Sequence, residues 1–272
     1  MADDAAIPMG NLMQGRRGLV MGVANHNSIA WGIARQLAAQ GAELAFTYQG
    51  EALERRVRPL AESVNATIVL PADVTDAASL DRAFGDVQER WGRLDFYVHA
   101  IAFANRDELK GRFIDVSREG FLRALEISAF SFVDCGKRAA ALMGAGGAMI
   151  TLTYLGAERV VPNYNVMGVA KAALEASTRY MARDLGKDGV RVNAISAGPI
   201  RTLAMAGISG GRDMLSWNRR ASLSRADTTI EQCGKAALYL LSDLGEGVTG
   251  EVLHVDGGFH AVAIPDLGEE AS

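Results

Sequence analysis

Seven apolar, strand-like segments alternate with helix-like ones between residues 17 and 258, and no other feature of the chain restricts its fold as tightly. The segments are 17–24 (RGLVMGVA), 42–48, 66–73, 94–102, 147–155, 190–198 and 251–258. They are rich in Val, Ile, Leu, Phe and Tyr. Several lack the polar–apolar alternation of a half-exposed strand, as expected of central parallel strands covered on both faces. Helical patterns fill the gaps, at 29–41, 79–92, 118–143 and 229–243, and Gly41 and Gly92 close the first two. Repeated strand–helix–strand units predict right-handed crossovers and an α/β doubly wound parallel sheet of seven strands. No repeat or linker interrupts the pattern, so residues 1–272 read as a single domain. One long insertion, 202–229, precedes the last helix. Insertions of this size in compact domains commonly form lids or binding loops. The tail after Phe259 is expected at the surface or at a subunit contact.

Charge and composition exclude several function classes. The net charge is −4 with no long basic run, which disfavours nucleic acid and anionic membrane surfaces. No apolar run approaches the ~20 residues of a membrane span. The start MADDAAIPMG is acidic and lacks a secretory signal's apolar core, so a cytoplasmic protein is expected. Cys135 and Cys233 lie far apart, and a disulfide between them is not expected. His26, His99, His254 and His260 show no i, i+4 ligand spacing, so no metal is expected.

The first crossover, GVANHNSIAWGIA, holds Gly22 where the strand must turn sharply. Ser28 and Ile29 stand at the start of the next helix, whose free N–H groups make an anion site suited to a pyrophosphate. The motif is not G-x-G-x-x-G, and a plain strand–turn–helix fits it too. The second strand ends in TYQGE, where Gln49 can hydrogen-bond a ribose hydroxyl without repelling a phosphate. The third ends in Asp73-Val74, where the carboxylate can meet an adenine amino group or serve as a turn or cap residue. Further on, YLGAERVVPNYNVMGVAK places Tyr154 and Tyr164 ten residues apart and Lys171 seven after the second. Two helical turns put Tyr164 and Lys171 on one helix face, as they would any exposed i, i+7 pair.

Taken in order, GVANHNSIAWGIA, FTYQGE, ADV, HAIAFAN, the Tyr154/Tyr164/Lys171 set, SAGPIRTLAMAGISG and GEVLHVDGG resemble the NADH-dependent enoyl-[acyl-carrier-protein] reductases. These form a divergent branch of the short-chain dehydrogenase/reductase superfamily. The resemblance runs from about Gly15 to Phe259. The wider superfamily sets a lysine four residues after its tyrosine. Here that position is Gly168, and the lysine comes at seven, as in the reductase branch.

The resemblance implies a Rossmann-type domain in which 202–229 is a helical substrate-binding lid. It implies reduction of the double bond of trans-2-enoyl-acyl-carrier-protein thioesters in bacterial type II fatty-acid synthesis. NADH is the implied cofactor, NADPH less so. Tyr164 would donate to the developing enolate oxygen, Lys171 would bind the nicotinamide ribose and add positive potential, and Tyr154 would line the substrate pocket. Cofactor contacts would be Gly22, Ser28, Ile29, Gln49, Asp73, Val74, Ala100, Ile101, Lys171, Ile200 and Thr202. Substrate contacts would be Phe103, Ala104, Tyr154, Met167, Ala204, Ile208 and Met214. Ala100, Ala102 and Gly211 depart from the serine, glycine and bulky residue common in the family at those places. A short-chain reductase acting on another unsaturated or carbonyl substrate is the alternative. Acidic acyl carrier protein would dock near Arg201, Arg212, Arg219, Arg220 and Arg225. A homotetramer is the implied assembly.

Overall fold

The computed structural model describes residues 7–206 and 211–264. Seven strands form one sheet: β1 (Arg17–Met21), β2 (Glu43–Tyr48), β3 (Ile68–Pro71), β4 (Phe96–His99), β5 (Gly147–Thr153), β6 (Val190–Ala197) and β7 (Val252–Val255). All pairs are parallel, in the order β3-β2-β1-β4-β5-β6-β7. The order reverses between β1 and β4, where an open α/β sheet leaves a crevice beyond its carboxyl ends. All seven expected strands are present. Most stop short of their apolar run, and the surplus residues form loops at that crevice. Residues 100–104 after β4 are the clearest case.

Helices cover both faces, which is why the central strands read as unbroken apolar runs. On one face α3 (Ala77–Trp91), α5 (Ser131–Met143) and α6 (Asn165–Gly186) bring Leu80, Phe84, Phe132 and Leu174 onto Tyr97 and Met149. On the other, α1 (Ile29–Ala39), α2 (Glu51–Ser63) and α9 (Ile230–Leu241) bring Ile33, Leu37, Val57 and Leu240 onto Phe46, Phe96 and Ile150. Each large side chain buried this way contributes on the order of 1.5–3 kcal/mol. Gly92 caps α3 in the left-handed conformation, and Gly41 follows α1 at φ +90°, as their positions predict.

The helix expected over 118–143 is continuous but not uniform. It runs as α4 (Arg118–Leu125), a π-helical turn (Glu126–Phe130) and α5. The insertion before α9 carries α7 (Leu203–Ala206) and α8 (Gly211–Ala221), and residues 222–229 run on to α9 as turns and irregular chain.

Candidate active site

A cleft of about 570 Å3 opens at the carboxyl ends of β1, β4, β5 and β6 and is lined on one side by Leu203 and Met205 of α7 and Met214 of α8. Its floor begins at Gly22, where φ is +106° and a Cβ would lie 2.2 Å from the Ala100 carbonyl oxygen. Only glycine lets β1 turn this close to the loop after β4. Ser28 precedes α1 but does not cap it with its side chain. Its hydroxyl accepts instead from the N–H groups of Ala24 and Asn25, both at 3.0 Å, and so shapes the loop. The N–H groups of Trp31 and Gly32 both reach the Ser28 carbonyl, whereas those of Ile29 and Ala30 have no intrachain partner among the described hydrogen bonds. Those two donors at a helix start suit an anion.

Tyr164 enters from the opposite wall. It stands at the start of α6 between Asn163 (φ 60°) and Asn165 (φ 29°), two residues held in the left-handed region, where asparagine is tolerated best. The Asn165 amide donates to the carbonyls of Lys110 and Gly111 at 3.2 and 3.3 Å, which fixes this entry. The Tyr164 ring packs edge-on against Tyr154, with centroids 5.1 Å apart, and against Gly156, whose added Cβ would sit 2.4 Å from it. Tyr154 donates its own hydroxyl to the Met214 thioether at 3.4 Å, which ties the end of β5 to α8.

Two helical turns into α6, Lys171 is 6% exposed and donates to the Leu152 carbonyl at 2.6 Å. Burial disfavours its charge and brings its pKa down to about 8, with Glu175 acting in the other direction. Burial also drives the Tyr164 phenol far above the ordinary tyrosine value, and the neighbouring Tyr154 and Glu175 raise it further. Tyr154 is pushed up to about 12, by burial first and then by Asp256. The result is a site with two neutral phenols and one ammonium group.

Fourteen of the expected site residues line this cleft: Gly22, Ser28 and Ile29; Ala100, Ile101, Phe103 and Ala104; Tyr154, Tyr164, Met167 and Lys171; and Ile200, Thr202 and Met214. Three do not. Gln49, Asp73 and Val74 sit at the ends of β2 and β3. There the Gln49 amide donates to Asp73 at 2.9 Å, and the other Asp73 oxygen accepts from the Thr75 backbone and hydroxyl. Asp73 is therefore a turn carboxylate, and the capping role at α3 belongs to Asp76. Val74 packs on the core beside α3. Ala204 lies in α7, but its side chain, like that of Arg212, is outside the described residues, as is Ile208. Of the expected docking cations, Arg219 is ion-paired with Asp227, Arg220 lies over the Trp217 ring at 5.8 Å, and Arg225 donates to the Arg220 carbonyl. Arg201 is exposed.

Several working residues escaped the sequence reading. Ser128, in the π turn, accepts from the Phe103 N–H at 2.9 Å and donates to the Phe103 carbonyl at 3.0 Å, which clamps the cleft loop 100–104. Ser131 donates to the Ile127 carbonyl, and fully buried His99 meets Ser131 through Nε2 at 2.8 Å and Thr151 through Nδ1 at 3.2 Å. Burial, followed by the charge of Lys171, lowers the His99 pKa to about 3 and keeps the ring neutral. Asp256, past β7, accepts from Gly258, from the His260 backbone and from His260 Nδ1, and holds the turn that follows. Serines spaced 128 and 131 within the otherwise apolar run ISAFSFV were the one visible signal. A second cavity of about 500 Å3 adjoins the cleft and shares Tyr154, Pro199 and Met214 with it.

The profile described as Enoyl-(Acyl carrier protein) reductase matches residues 22–260. An enoyl-[acyl-carrier-protein] reductase [NADH] 2 of Rhizobium meliloti (strain 1021) is 62% identical over 259 residues, 95% of this chain and 97% of the relative. The chain belongs to the enoyl-(acyl carrier protein) reductase family. Solved enoyl reductases share its fold. The Anaplasma phagocytophilum protein, crystallised with NAD, superposes with a TM-score of 0.93 at 53% identity, covering 96% of this chain and all of that one. The Bacillus cereus enoyl-acyl carrier protein reductase, crystallised with NADP+ and an indole naphthyridinone, gives 0.92 at 53% identity over 93% of this chain and all of that one. The parallel seven-stranded sheet is therefore the enoyl reductase's own Rossmann-type architecture.

Proposed function

We infer that this enoyl reductase reduces the carbon–carbon double bond of trans-2-enoyl-acyl-carrier-protein thioesters with NADH, as a step of bacterial type II fatty-acid synthesis. One observation carries the reading of the site. Neutral Tyr164 and cationic Lys171 share one face of α6 inside an apolar cleft that continues to the helix start at Ile29. The residues fit the dinucleotide. The Gly22 turn admits a backbone-hugging ligand, Ile29 and Ala30 offer N–H groups to a pyrophosphate, and Lys171 keeps two N–H donors for ribose hydroxyls after binding Leu152. Gln49 offers an adenosine ribose an uncharged partner, and Asp73 and Val74 would flank adenine.

Bound NADH supplies the hydride that reaches the β-carbon. The chain's own task is the negative charge that then collects on the thioester oxygen. Tyr164 meets it with a phenol that stays protonated at working pH and is itself buried in the cleft wall. A fixed donor is worth most at charge that develops only in the transition state. Tyr154 keeps its ring against Tyr164 and forms the pocket wall. Phe103, Ala104, Met167 and Met214 supply apolar contact for the acyl chain, and the cavity beyond Met214 gives a longer chain room. The lid 202–229, with Ala204 and Ile208, completes that wall in a single catalytic domain.

Acyl carrier protein, being acidic, is read as docking beside the lid, with Arg201 and Arg220 its main cations. A homotetramer in the cytoplasm fits the reading. Among the described residues no helix is long and apolar enough to cross a membrane. The test follows reduced-nicotinamide absorbance after a short trans-2-enoyl thioester is added, with NADH and NADPH in parallel. Consumption with NADH ahead of NADPH is expected. Binding of NADH without consumption on any enoyl thioester would overturn the reading.

A further inference from the structure

The buried carboxylate of Glu175 has no place in the chemistry above. It lies one helical turn past Lys171 on α6, in the same buried stripe, and is only 6% exposed. A lone buried carboxylate is costly, and proteins keep one where it is paired or hydrogen-bonded. Thr153, the last residue of β5, donates its hydroxyl to Glu175 Oε1 at 2.7 Å. The preceding residue, Leu152, receives Lys171 Nζ. Two charged side chains of α6 thus grip consecutive residues at the end of β5, one through a backbone carbonyl and one through a side chain. The next residue is Tyr154, against whose ring Tyr164 packs.

The charges around this pair are few. Lys171, Tyr164 and Arg179 approach Glu175 from α6 itself, Glu158 from the loop after β5 and His254 from β7. His99 of β4 faces Lys171 and is neutral. Burial raises the Glu175 carboxyl above its ordinary value, and the Thr153 hydrogen bond opposes this. Glu158 adds to the rise, while Arg179 and His254 act against it. Glu175 is the carboxylate that acts on the ammonium group.

We propose that Glu175 is a positioning residue of the reductase site: its carboxylate holds the end of β5 through Thr153 and supplies the countercharge for buried Lys171. The proposal rests on the reading that Lys171 must be cationic to hold the nicotinamide ribose. Glu175 favours the protonated lysine, and its removal makes Lys171 release its proton at lower pH. Glu175→Gln keeps an oxygen for Thr153 and removes only the charge. Thr153→Val removes the hydrogen bond and leaves the charge.

The experiment is kcat/KM for NADH against pH, from 6 to 10, in wild type and both variants. Wild type should fall on the basic side as Lys171 loses its proton. In Glu175→Gln that fall should begin about one pH unit earlier, a roughly tenfold deficit above the wild-type midpoint, with KM for NADH raised. Thr153→Val should lower kcat with the midpoint unmoved. If Glu175→Gln does not fold, Glu175→Met serves and its midpoint should fall likewise, while Glu175→Asp should match wild type. A midpoint unchanged in Glu175→Gln, or lowered equally in Glu175→Asp, overturns the proposal and leaves the role of Lys171 standing. A wild-type profile with no basic fall overturns both.

Discussion

Replacing Tyr164 with Phe deletes a single oxygen from the cleft, so its effects on folding and on turnover can be separated. Its ring is 7% exposed, held by Tyr154 and Gly156, and Phe preserves both contacts. The hydroxyl forms no intrachain hydrogen bond among those described, so the resting enzyme loses none when it goes. Unfolding temperature should therefore shift by less than about 2 °C, the equivalent of under 1 kcal/mol in a chain of this size. Catalysis should respond differently. Loss of one oxyanion donor in a desolvated site costs about 10²–10³ in kcat, or roughly 3–4 kcal/mol. Because the interaction belongs to the transition state, kcat and kcat/KM should fall together while the NADH dissociation constant stays put. Since burial holds the phenol protonated well above the ordinary tyrosine range, the ratio of wild-type to variant rates should be constant between pH 6 and 9. Stopped-flow nicotinamide absorbance with a saturating enoyl thioester, run beside Tyr154→Phe, decides the matter. A deficit under about tenfold, an equal deficit in Tyr154→Phe, or a ratio that changes with pH would refute the assignment.

Other perturbations test the remaining groups. Lys171 has a folded pKa of about 8, below the ordinary 10.5, so its buried charge costs stability below pH 8 and the cost fades as pH rises towards 10.5. Lys171→Met should thus lose about 3 kcal/mol relative to wild type between those limits in urea titrations, and a pH-independent gap would contradict the burial argument. His99, lowered to about 3 from 6.5, should withdraw stability as pH falls below 6.5, by about 3 kcal/mol at pH 4, and His99→Gln should flatten that slope in acid denaturation. Met214→Phe, between the two cavities, should lower kcat/KM for a long-chain enoyl thioester at least several-fold more than for a four-carbon one. Arg201→Ala combined with Arg220→Ala should slow turnover of the carrier-linked substrate several-fold and leave a small thioester nearly unaffected, and equal slowing of both would remove the docking face.

The parts legible in sequence were those with a periodic or local cause. Strands covered on both sides leave an unbroken apolar run whatever the ligand, so all seven were visible, whereas their spatial order and its reversal between β1 and β4 are set by long-range pairing that no local pattern carries. Tyr164 and Lys171 could be joined because one helix carries both. The groups that escaped are polar side chains turned inward. Ser128, Ser131, Glu175 and Asp256 look in sequence like any surface residue, and the π turn at 126–130 shifts the helical phase so that an apolar period cannot say which face Ser128 occupies. The Gln49–Asp73 hydrogen bond joins residues 24 positions apart, beyond any local pattern.

The unusual tyrosine–lysine spacing has a packing cause. At Gly168, one turn into α6, an added Cβ would sit 2.7 Å from the Gly156 carbonyl oxygen. The short helical turn at 155–157, which also supports the Tyr164 ring, presses directly on the helix there. No side chain fits at the position where the wider short-chain reductases carry their lysine. The cation enters about a turn later, at Lys171, which is 6% exposed. Depth carries a penalty, seen in the lowered pKa, and Leu152 and Glu175 offset it. The close approach of Gly156 to both Tyr164 and Gly168 thus couples the seat of the Tyr164 ring to the exclusion of a side chain at 168.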